Sequence, residues 1–217
     1  MSTAEEPARP THRTPDGDRA DAAVAPAVTG DPAILGLPIF VAGSVALALA
    51  LVGYVPAAAA GSALPIILAA TGLGLLVSTV WAAALGQTMV ACIFGLFSGF
   101  WWSYGVLLLG LNHDWFAIPA ADVTSSVELF QITWAIVFGL LALATLRLPV
   151  AYTAVVVLVV AALVLLVFGT HNTDETLTKA AGWVTFAFAA LGAYLFLASA
   201  STATGGRSFA LGRPLVR

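Results

Sequence analysis

Side chains able to act as acids, bases, nucleophiles or metal ligands are sparse along this chain, and their spacing pairs none of them. His12, His113 and His171 fall in polar stretches far apart in sequence, with no nucleophile beside them and no phosphate-binding or zinc-binding pattern. The single cysteine, Cys92, sits within an apolar run, where it reads as a small buried hydrophobe, and it can form no disulfide within one chain. No Asp, Glu, Lys or Arg occurs between Asp31 and Asp114, and the later ones stand at the edges of apolar runs. A proton relay at membrane depth needs ionisable groups held there, and this pattern offers none. The expectation is therefore no catalytic residue, no metal site and no cofactor. What remains is hydrogen bonding from hydroxyls and amides. Ser44 and Ser98, with Gln131 and Thr133, are the hydrogen-bonding candidates within the apolar runs. Either serine can instead satisfy a carbonyl of its own helix.

The elements that must position these residues follow from composition. Of the 217 residues, 60% are hydrophobic and 9% charged, with a mean hydropathy of +1.00, whereas soluble domains carry about 25% charged residues. The net charge of -3 also argues against a nucleic-acid partner, which requires a basic face. A helix crossing the hydrocarbon core needs about 20 apolar residues, and six segments meet this, at about 34–52, 64–85, 88–109, 129–146, 149–168 and 177–199. The fold class is all-α, a six-helix polytopic membrane bundle over residues 31–200. Asp31 is placed to cap the first span, Pro32 to start it and Pro149 to start the fifth. Residues 1–30, rich in Pro, Ala, Asp and Arg without apolar periodicity, read as a disordered tail. Residues 201–217 read as a short basic tail outside the bilayer.

Orientation follows from basic residues, which are enriched in cytoplasmic loops. Arg9, Arg13, Arg19, Arg147, Arg207, Arg213 and Arg217 fall on one side of the six-span arrangement, and Lys179 on the other. Both termini are thus expected in the cytoplasm of a multi-pass cell-membrane protein.

The third span superposes two patterns. Gly95, Gly99 and Ser103 recur every fourth residue, the small-residue spacing that lets helices approach closely in lipid. Phe94, Phe97, Phe100 or Trp101, and Tyr104 form an aromatic stripe on another face. Such a stripe either fills the bundle or lines a path through it, and spacing alone does not choose between the two.

Several local matches point one way. Asp31-Pro32-Ala33-Ile34-Leu35-Gly36-Leu37 followed by Phe40, then Phe97-Ser98-Gly99-Phe100-Trp101, then Ala181-Gly182-Trp183, and finally Gly212-Arg213 resemble, in this order, the motifs of the acetate uptake transporter family, which includes bacterial succinate-acetate permeases. The resemblance implies a six-helix protomer, a homohexamer, and a pore in each protomer for small organic anions such as acetate or succinate. It further implies a constriction at Phe40, Phe97 and, in the fifth span, Val159. The chain departs from the family pattern in having Asp31 for an Asn, Phe97 for a Tyr, and an uncharged residue near Ala82 for a Glu. The expected function is a membrane permease or channel for small carboxylates. A secondary carrier for another metabolite, and a membrane scaffold or sensor, stand as the other readings. A carboxylate cannot cross a dry pore unpaired, so hydroxyls, amides and the free N–H groups of helix starts would have to stand in for water.

Overall fold

The computed structural model describes residues 29–216. The expected disordered tail lies outside them apart from Thr29 and Gly30, as do His12, Arg9, Arg13, Arg19 and Arg217. Among the described residues six helices are long and apolar enough to cross a membrane. They are α1 (Ala33–Leu51), α2 (Leu73–Ala84, extended at its start by irregular helix), α3 (Thr88–Asn112), α4 (Val123–Ala144), α5 (Val150–His171) and α6 (Glu175–Ala203).

Three of the starts have a local cause in the residues that precede them. The Asp31 carboxylate accepts the Ala33 N–H at 2.9 Å, satisfying one of the donors that a helix start leaves without a partner. Asp174 does the same for α6, accepting from the N–H groups of Thr176 and Leu177 at 2.8 and 3.3 Å. Pro149 immediately precedes α5, where a missing N–H costs nothing.

The second span is less regular than its hydropathy suggests. It begins as 3-10 helix over Ala57–Ala63, widens to π-helix over Ile66–Gly72 after Pro65, and becomes α-helical only at Leu73. Such a widened turn displaces carbonyls from their usual partners. Hydroxyls tie this stretch to its neighbours: Ser98 on α3 donates to the Gly72 carbonyl at 2.8 Å, and Thr71 donates to the Ile39 carbonyl of α1 at 3.4 Å.

Helix limits differ from the hydropathy windows mainly at one end of the bundle. α4 begins at Val123, six residues before the expected window, and α6 runs from Glu175 to Ala203 rather than from 177 to 199. Thr124, Ser125, Ser126 and Glu128 are helical yet polar, because the first turns of a spanning helix reach beyond the hydrocarbon into water. Hydropathy reports bilayer thickness, not helix length. Cys92, expected as a buried hydrophobe, is instead exposed on the outside of α3. In a bilayer that face meets hydrocarbon, so an apolar run does not tell interior from lipid.

α1 packs along α6, α6 along α5, α5 along α4, and α2 along α3. Between α1 and α3, and between α3 and α4, aromatic rings fill the gap. The outer faces of α2 and α4 remain apolar and exposed, with Val77 and Val80 on the first and Leu129, Ile136, Leu140 and Leu143 on the second.

After Ala203 the chain turns at Gly205 (φ +79°) and residues 206–216 lie as a strap across the end of the bundle where α1 begins. The strap is built into helix ends. Its Leu211 carbonyl accepts the first-turn Ala151 N–H of α5 at 3.1 Å, and its Leu215 and Val216 N–H groups reach the Leu146 carbonyl beyond α4 at 3.0 and 3.1 Å. Tyr194 donates to the Ala210 carbonyl at 2.9 Å and packs on Phe209. Gly212 has φ +78°, and a Cβ there would strike the Val150 side chain. The basic tail is therefore a docked segment.

Candidate permeation site

The α3 stripe meets the other helices at a cluster of rings in mid-bundle. Phe97 stands edge-on to Phe40 of α1 with centroids 4.8 Å apart, and Phe138 of α4 lies 4.6 Å away on its other flank. Phe40 in turn contacts Phe188 of α6 at 5.7 Å. All four are buried. Edge-to-face and tilted pairs at these separations are the favoured aromatic geometries. Phe40 fits because Gly192 of α6 lacks a side chain: a Cβ there would lie 3.1 Å from the ring. Gly36, in the first-span motif, makes similar room for Phe94, whose ring would lie 2.5 Å from an added Cβ.

This cluster separates two chambers. The larger, about 370 Å³, lies toward the strap and is lined by Leu37, Ile93, Phe94, Tyr152 and Val156, with Asp31 and the strap's Leu211 also on its wall. The smaller, about 20 Å³, lies on the other side and is lined by Leu47, Trp101, Leu163, Leu166 and Thr185. Phe40 and Phe97 border both. Val159 borders the smaller one together with Phe188. The structure thus brings Phe40, Phe97 and Val159, three residues from three helices, to the wall of one small chamber.

The expected polar partners are placed otherwise. Neither chamber is lined by Ser44, Ser98 or Gln131. Ser44 donates to the Phe40 carbonyl of its own helix at 2.7 Å, and Ser98 is committed to Gly72. Gln131 shares a face of α4 with Phe138, two turns away. Its amide donates to the Thr170 hydroxyl at 3.0 Å, while its Oε1 is buried without a partner among the described residues. Thr133 donates to the Leu129 carbonyl at 2.7 Å on an exposed face.

The small-residue stripe divides its contacts. A Cβ on Gly95 would meet Thr79 of α2 at 3.3 Å, whereas one on Gly99 would meet Trp134 of α4 at the same distance. Ser103 donates to the Gly99 carbonyl at 2.7 Å and accepts the Trp134 indole N–H at 3.2 Å. These positions serve two neighbours rather than one continuous seam.

Sequence reasoning did not single out Phe138, Phe188 or Trp101 as site residues. Phe188 had a usable signal, since Ala181, Thr185, Phe188, Gly192 and Leu195 recur at three or four residues and form the buried face of α6.

The architecture defines a polytopic membrane protein of six spanning helices among the described residues, with an aromatic cluster buried inside the single chain. The chain belongs to the GPR1/FUN34/yaaH family, whose model matches residues 19–213. Among solved structures it is similar to that of the bacterial acetate channel SatP, with a TM-score of 0.74 and 20% identity, covering 83% of this chain and 97% of that one. At that identity the likeness is one of fold. No curated protein sequence matches the chain.

Proposed function

We propose that this protein is a membrane channel or permease for small monocarboxylates, with acetate the reference permeant. The observation that carries the reading is the contact of Phe40 and Phe97, which border both chambers, with Val159 and Phe188 beside them on the smaller one. A constriction lined by aromatic and aliphatic groups excludes water when closed and so blocks ions, and it passes a solute only when the rings move aside. The acetate channel of similar fold supports the choice of permeant.

The spans carry no ionisable side chain near their middles, which favours passive flux over coupling to a proton relay. Succinate is a second candidate only if the ring opens wide enough for a dicarboxylate. Both termini lie in the cytoplasm in this reading, so the 370 Å³ chamber faces inward and the smaller one outward. A homo-oligomer, six copies by the resemblance, completes it, with the exposed apolar faces of α2 and α4 against lipid or neighbouring copies.

The decisive experiment is uptake of labelled acetate into proteoliposomes, with and without an imposed proton gradient. Saturable or protein-dependent flux that is independent of the gradient is the expected result. Flux seen only with the gradient would make the protein a coupled carrier, and no flux across a panel of organic acids would remove the transport reading. In a Cys92→Ala background, Ser125→Cys should react with an impermeant reagent applied to intact cells, and Ser208→Cys only after lysis.

A further inference from the structure

We infer that the Trp101 indole N–H hydrogen-bonds the permeant carboxylate as it clears the aromatic ring, and that it sets the preference for carboxylates over neutral solutes of the same size. This rests on the carboxylate reading above.

Trp101 is the largest wholly buried side chain, 1% exposed, and its Nε1 has no hydrogen-bond partner among the described residues. A buried Trp ordinarily finds an acceptor for that N–H, and at membrane depth bulk water is not at hand to supply one. Phenylalanine at this position would fill most of the same space without leaving a donor unpaired. An unsatisfied buried donor is tolerated where something intermittently satisfies it.

Its location identifies that partner. Trp101 lies one helical turn beyond Phe97 on the same face of α3, and it lines the small chamber that Phe40, Phe97, Val159 and Phe188 close. The hydroxyl on the chamber wall, Thr185, donates its hydrogen to the Ala181 carbonyl at 2.8 Å and presents only lone pairs to a solute. Among the residues that line the chamber, the Trp101 N–H is therefore the uncommitted donor, of the polarity an anion needs. The chamber, about 20 Å³, is of the order of a single water site. Acetate is larger, so it occupies this position only while the ring is open. The bond is then formed mainly at the top of the barrier, where it speeds passage instead of trapping the solute.

The test compares acetate with acetamide, a neutral molecule of similar shape, using the full chain in proteoliposomes. Trp101→Phe and a sulfur-for-NH tryptophan analogue incorporated at position 101 both remove the donor, and the analogue keeps the bicyclic shape. Acetate flux should fall about tenfold or more, the range expected on losing a hydrogen bond to a charged group, with acetamide flux within about twofold of the parent. An unchanged acetate-to-acetamide ratio, or equal loss of both, would overturn the inference and leave Trp101 as packing. Should Trp101→Phe fail to assemble, the shape-preserving analogue decides alone. A parent protein that carries no acetate overturns the carboxylate reading and this inference with it, whereas acetate flux that survives in the analogue overturns the inference alone.

Discussion

Phe97 touches rings on both flanks, and its position decides between a gate and a core. As a gate, Phe97→Ala should widen the narrow point, speed acetate flux and admit longer carboxylates such as butyrate, with the protein still assembled. As core, the same change leaves a void of the kind that costs about 3–5 kcal/mol in soluble proteins, and gel filtration would show lost assembly without broadened selectivity. Phe97→Tyr should be tolerated and shift selectivity, because a hydroxyl at the ring can be wetted from the larger chamber. Asp31 makes a second case. Asp31 lines the larger chamber, and its negative charge would oppose entry of an anion from that side. Asp31→Asn keeps an oxygen to accept the Ala33 N–H and removes the charge, so acetate flux from the strap side should rise at low ionic strength, with the gain shrinking as salt screens the carboxylate. At this scale Phe40 and Phe97 were legible through motif order, whereas Val159 had no local motif to anchor it. The partners of Ser44 and Ser98 were not, since whether a hydroxyl faces a path or a carbonyl depends on a rotamer and on a neighbouring helix.

The spans themselves were readable because each needs a long apolar run, and all six appear. Their inward faces were harder to read. α5, with mean hydropathy 3.0, is apolar all round, so nothing in its composition separates Val159 from the exposed Val157 or Val164. The irregular start of the second span was also hidden, since Pro65 signals a disturbance without saying that Ser98 and Thr71 will repair it. The strap was visible only as basic residues, although Gly212 carried its conformational requirement. That glycine has a left-handed φ and no room for a Cβ beside Val150. Gly212→Ala should therefore release the segment, uncovering the Ala151 N–H and the Leu146 carbonyl. Limited trypsin digestion should then cut at Arg207 several-fold faster than in the parent, while the spanning helices stay protected. Equal cutting rates would mean that the strap is held without this turn.

As a whole, the molecule builds the proposed narrow point from helices of one chain, with Phe40, Phe97, Phe138, Val159 and Phe188 contributed by α1, α3, α4, α5 and α6. Each copy would then conduct by itself whatever the size of the assembly. A copy plugged by Val159→Trp, which overfills the small chamber, can be mixed with active copies before reconstitution. Flux should then decline in direct proportion to the plugged fraction, as a straight line. A path formed jointly between copies would instead collapse steeply once a minority of subunits were poisoned. In a cell carrying one defective and one intact version of the gene, the straight line means half the throughput, so such a defect would behave as recessive rather than dominant.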